Sequence, residues 1–185
     1  MAGLAAPLPA AAQSAVSIEC SPTAKVPGRA SPYDSTDVSI AGQTARVCYS
    51  RPSMRNRIIF GGLVPYDTLW RTGANEPTII HLPVAATIAG IAVQPGSYSI
   101  YTVPGRDEWT VIVNGSTSQW GIESQYTPEV RAQEVGRATV TPERLTTPVD
   151  TFTIRAVPQP GRSADLVLEW ENTRVRIPIA PARTR

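Results

Sequence analysis

The sequence predicts an all-β fold, a single antiparallel β-sandwich or open barrel of about ten short strands with at most one or two short helices. Three observations predict it. Runs rich in Val, Ile, Thr, Tyr and Trp recur along the chain, and these residue types suit a pleated, half-buried surface. Many of the runs alternate apolar and polar residues, the period of a strand with one face inward. Turn residues separate them, with Pro-Gly dipeptides beginning at positions 95, 104 and 160.

Residues 1–33 read as a leader remnant and a Pro/Ser/Gly-rich arm, residues 34–180 as one β domain, and residues 181–185 as a tail. The opening MAGLAAPLPAAAQS is uncharged and alanine-rich, and ends in small residues suited to signal cleavage. It lacks a basic start, and Pro7 and Pro9 interrupt its apolar part. Next, DVSI and TARVCYS flank the turn AGQ and form a hairpin. RIIF reads as a strand ending at Gly61-Gly62; TIIHL, AATIAGIAV, GSYSIYTV and EWTVIVN follow. TPEVRAQEV, 127–135, is the helix candidate, with Thr127 as cap and Pro128 in the first turn. DTFTIRAV, DLVLEW and TRVRIPI complete the strands. Leu166, Leu168 and Trp170 share one face, and Val175, Ile177 and Ile179 oppose Arg174 and Arg176. Glu171-Asn172 between them reads as a tight turn.

A chain of 185 residues with 42% hydrophobic and 17% charged residues fits one globular domain with a core of its own. The net charge of +2 is dispersed, without a basic run, so nucleic acid is not an expected partner. A small molecule or a glycan is. The basic residues are arginines apart from Lys25. No apolar run approaches the roughly 18–20 residues of a membrane-spanning helix. In an exported protein, Cys20 and Cys48 are expected to pair and tie the arm to the strand carrying Cys48. Glu19, directly before Cys20, disfavours lipid anchoring there. The expected location is extracytoplasmic, periplasmic or secreted.

No nucleophile elbow, phosphate loop or dinucleotide fingerprint is present, and no cofactor is expected. Two cysteines and one histidine are too few for a zinc site. His81, inside TIIHL, reads as a half-buried strand histidine with one hydrogen bond. Asn114-Gly115-Ser116 matches the glycan acceptor pattern and reads equally as a turn. Of Trp70, Trp109, Trp120 and Trp170, most belong in the core. Trp120, in TSQWGIES, is the expected exception and a candidate stacking platform.

The block RPSMRNRIIFGGLVPYDTLWRTGANEPTI resembles the opening of a family of bacterial, mostly exported proteins, domain of unknown function 2911. PGSYSIYTVPG, EWTVIVN, SQWG and LVLEWENTRVRIPI agree, so the resemblance spans about residues 33–180. It implies export and a mostly-β domain, and it carries over no catalytic residue.

LWRTGANEPT, Leu69 to Thr78, is the densest cluster of candidate site residues. One reading is structural: Arg71 pairs with Glu76, Asn75 caps the turn and Gly73 bends it. The other places Trp70, Arg71, Asn75 and Glu76, with Arg51, Tyr101 and Trp120, around a small polar or anionic ligand, Arg71 offering its planar donor fork. No catalytic residue is assigned in it. Two alternatives remain: a hydrolase using Glu76 with Asp107 or Glu108, and assembly through an exposed sheet edge.

Overall fold

A computed structural model describes residues 20–22 and 28–182. The leader-like residues 1–14, Glu19, Lys25 and residues 183–185 lie outside that range.

Ten strands form: β1 (Tyr33–Ile40), β2 (Gln43–Ser50), β3 (Thr78–Leu82), β4 (Ala86–Ile88), β5 (Ile91–Val93), β6 (Gly96–Pro104), β7 (Trp109–Asn114), β8 (Glu134–Val140), β9 (Glu143–Gln159) and β10 (Ser163–Pro181). They make two antiparallel sheets, ordered β1-β2-β3-β6-β7-β8 and β5-β4-β10-β9, with no closed barrel. The sandwich reading therefore holds. The AGQ hairpin is present, with Ile40 opposite Gln43. The one α-helix among the described residues, α1 (Pro128–Arg131), starts where expected: Thr127 accepts from the Val130 N–H and Pro128 sits at the first turn.

The core lies between the sheets. Val38, Ile40, Val47 and Tyr49 face Leu166, Leu168, Val175, Ile177 and Ile179 across it. At one end the aromatic rings gather. Trp70 stacks on Trp170 with centroids 5.9 Å apart, Phe60 meets Trp109 edge-on at 4.9 Å, and Phe152 joins both Trp70 and Trp170. Such pairs add about 0.5–1.5 kcal/mol each beyond the area they bury. A second, smaller cluster of Tyr101, Ile112, Tyr126 and Val130 covers the outer face of β6 and β7. It exists because the 115–133 segment folds back over that face, so both sides of these two strands are buried.

Two expectations are corrected. RIIF is not a strand: Phe60 makes only an isolated bridge to Val64, and the Glu171 carboxylate accepts the N–H groups of Ile59 (3.1 Å) and Phe60 (3.3 Å). Glu171-Asn172 does not reverse the chain either. It is a bulge within the continuous β10, with Glu171 at φ 53° and register shifts on either side of it. The inward positions are even-numbered before it (166, 168, 170) and odd-numbered after it (175, 177, 179), and the bulge absorbs this change of phase.

Cys20 and Cys48 form the expected disulfide, their Cα atoms 5.6 Å apart. β9 is a long edge strand, but its outer side is interrupted. Met54 and Asp150 share a backbone hydrogen bond of 2.8 Å, as do Phe152 and Pro52. Pro148 and Pro158 also lack the N–H that an added strand needs.

Candidate functional site

Just before β3, the chain already runs beside β6. Trp70 and Thr102 exchange both backbone hydrogen bonds, at 2.7 and 2.9 Å. Strand alternation then sends the Trp70 indole into the aromatic core and puts Arg71 on the opposite side, under the 115–133 segment. The turn that follows is tightly bent. Thr72 (φ 56°) and Asn75 (φ 63°) are left-handed, the first a β-branched residue for which this is a true outlier. The buried Thr72 hydroxyl meets that of Thr102 at 3.1 Å, and the Trp70 indole N–H donates to the Gly73 carbonyl at 3.0 Å. At Gly73 (φ 155°) a Cβ would lie 3.0 Å from the Ser50 carbonyl oxygen. Backbone strain of this kind concentrates at ligand clamps and active sites.

Gly121, in the SQWG motif, closes the turn from above. Its N–H donates to the Asn75 carbonyl at 3.0 Å, and a Cβ there would run into both that carbonyl and the Arg71 side chain. The two motifs are thus packed directly on each other.

The charges of this turn are arranged differently from the structural expectation. Arg71 does not pair with Glu76. The bends at Thr72, Gly73 and Asn75 turn Glu76 towards the end of β2, where Arg29 takes both carboxylate oxygens at 2.7 and 2.9 Å and also donates to the Ser50 hydroxyl at 3.2 Å. Glu76 is 1% exposed. The hydrogen bonds that Arg29 donates to Glu76 raise the Arg29 pKa against the lowering effect of burial.

Arg71 has no such partner. Its buried Nε has no hydrogen-bond acceptor, and its guanidinium makes no ion pair with any described residue. The buried Asn75 amide nitrogen, four residues on, also lacks a partner among the described residues. Asn75 therefore caps nothing through its amide; it serves the turn through its carbonyl and its backbone conformation. Burial lowers the Arg71 pKa from the ordinary arginine value, with the charges of Glu123 and Tyr101 opposing.

Arg71 lines a cavity of about 100 Å³. Trp70 and Trp170 form its floor, Leu63, Pro65 and Leu69 its apolar wall, and Glu123 stands on its rim. Glu123 begins a short 3-10 turn (Glu123–Gln125) and is exposed. The volume is well below the 300–1,000 Å³ typical of pockets that enclose a whole drug-sized molecule, so this one suits a head group. A half-buried cation against apolar walls interacts with an incoming anion more strongly than it would in open water.

The remaining candidates stand elsewhere. Arg51 pairs with Asp34 at 3.0 Å and donates to the Phe152 carbonyl at 3.3 Å and the Thr153 hydroxyl at 3.2 Å. Tyr101 is fully buried and accepts from the Gln119 amide at 3.0 Å; burial raises its pKa. Trp109 joins Trp70 and Trp170 in the core, whereas Trp120 is half-buried and outside the cavity lining. Asp107 and Glu108 lie in the exposed turn between β6 and β7. His81 is half-buried with one hydrogen bond, Nδ1 to the Ser97 hydroxyl at 2.7 Å, and burial lowers its pKa. The Asn114 amide is buried, donating to the Val130 carbonyl at 2.7 Å and the Tyr126 hydroxyl at 3.2 Å, which closes it to a glycan. Sequence reasoning missed Leu63, Pro65, Leu69 and Glu123. Only the glycine after Trp120 hinted that the SQWG loop packs closely on something.

No helix among the described residues is long and apolar enough to cross a membrane. The chain belongs to the family described as "Protein of unknown function (DUF2911)", whose model matches residues 31–179. No curated protein and no solved structure matches it.

Proposed function

We propose that this domain is a non-catalytic binding module in which Arg71 receives the anionic group of a small ligand. The observation that carries this is the Arg71 guanidinium: its Nε is buried without an acceptor, and the side chain lines an apolar-walled cavity. A buried polar group without a partner is uncommon in a folded protein and is costly to maintain. A carboxylate or phosphate would satisfy it. The reading is of binding rather than hydrolysis because Glu76, the carboxylate of the same turn, has both oxygens engaged by Arg29. The disulfide supports an oxidising, extracytoplasmic compartment.

The test is a thermal-shift titration with acetate, butyrate and phosphate at constant ionic strength, on the wild type and on Arg71→Met. Ligand at ten times its Kd stabilises the fold by about 1.4 kcal/mol. The wild type should show a saturable rise with at least one anion, and Arg71→Met none. Equal shifts in both proteins would exclude Arg71 as the binding group.

A further inference from the structure

The cavity that holds Arg71 carries a second charge of opposite sign. Glu123 lines it too, on the exposed 3-10 turn that follows Gly121. Among the described residues, Asp34, Asp37, Glu76, Glu134, Glu143, Asp165 and Glu169 have arginine partners. Arg71 and Glu123 are among the charged residues that have no such pairing, and they share a cavity. They face one cavity, and neither makes an ion pair with the other or with any described residue. Glu123 is nonetheless near enough to favour the charged form of Arg71. Two opposite, unpaired charges on one small apolar-walled cavity form a dipolar receptor.

We propose that the ligand is a small zwitterion: an acidic group, carboxylate or phosphate, joined to an ammonium by a short spacer. The acidic group sits on the Arg71 guanidinium and the ammonium faces the Glu123 carboxylate. This rests on the anion-binding reading of the same cavity and goes one step beyond it. A simple anion would be attracted by Arg71 but repelled by Glu123. A zwitterion satisfies both, which is how complementary charges at a site supply specificity. Free amino acids and the phosphoethanolamine head group share this chemistry and differ in the acidic group.

The experiment is calorimetric titration of the full chain with matched pairs: γ-aminobutyrate against butyrate, and phosphoethanolamine against inorganic phosphate. Each pair differs by the amino-bearing part. A partly exposed charge pair is worth up to about 1 kcal/mol, which converts to about fivefold in Kd. The zwitterion of at least one pair should therefore bind about three- to fivefold more tightly than its simple anion, and the responding pair identifies the acidic group. Glu123→Gln, a neutral change at an exposed position, should remove that margin and tighten binding of the simple anion. Arg71→Met should abolish binding of all four. If the simple anions bind as well as the zwitterions, or if the margin survives Glu123→Gln, the zwitterion proposal is wrong while Arg71-dependent anion binding stands. If none of the four binds in a way that Arg71→Met removes, both readings fall.

Discussion

Arg71 and Glu76 stand five residues apart in one turn, yet their circumstances are opposite. Glu76 is 1% exposed and doubly bonded by Arg29, an ion pair reaching across 47 residues of sequence. The Arg71 side chain, on the other side of the bend, makes no hydrogen bond or ion pair with a described residue. One half of the turn is built to be held and the other is built with bonding capacity left over. A buried pair that is broken costs about 3–5 kcal/mol, whereas a cation without a partner loses nothing of that kind when it is replaced by an apolar side chain of similar size. The two halves should therefore respond to substitution in opposite ways.

The largest effect is expected from Arg29→Ala, which removes both hydrogen bonds from Arg29 to the buried Glu76 carboxylate and should lower unfolding free energy by about 3–5 kcal/mol. Urea denaturation measures it, and a loss under 1 kcal/mol would remove the contrast between the two sides. Replacing both cysteines, Cys20→Ala with Cys48→Ala, should cost about 3–4 kcal/mol for a loop of this length. It also removes the tether that keeps the Arg29 segment close to β2. A smaller loss, about 1–3 kcal/mol, is expected for Gly121→Ala, because a methyl group there collides with the Asn75 carbonyl and the Arg71 side chain. If that variant is as stable as the wild type, the SQWG loop does not clamp the turn as described.

Acid should separate paired from unpaired charges as well. A hydrogen bond from Arg137 holds the Glu134 carboxyl below the usual glutamate range. A depressed folded-state pKa contributes stability that is complete above the ordinary value of about 4.3 and is lost as pH falls through the folded value. Glu134→Gln should therefore flatten the acid limb of the stability profile, by about 1 kcal/mol or less for so exposed a partner. A pH series of urea midpoints reads this directly. An unchanged acid limb would mean that the pair contributes nothing to folding.

Much of the fold was legible in the sequence because its signals are local. Alternation grouped Leu166, Leu168 and Trp170 on one face, and Val175, Ile177 and Ile179 on one face, and all six are found in the core. Thr127 and Pro128 marked the helix start, and AGQ the hairpin. The site was less legible because what makes it a site is non-local. Arg29 competes for Glu76 from a distant segment, so the opposite charge within the same turn was the wrong partner for Arg71. Glu171 looked like a turn residue because only the long β10–β9 pairing shows that the strand continues through it. The cavity itself arises where the loop around Leu63 meets the turn around Glu123, two stretches with no common pattern.

The central claim is that Arg71 is an unpaired cation facing a ligand cavity rather than a brace of its own turn. Urea unfolding of Arg71→Met, run with and without the anion that most stabilises the wild type, tests it most directly. Without anion, the variant should match the wild type or exceed it by up to about 1 kcal/mol, and added anion should move the midpoint of the wild type only. A variant that loses 2 kcal/mol or more while still responding to the anion would contradict the claim and return Arg71 to a structural role.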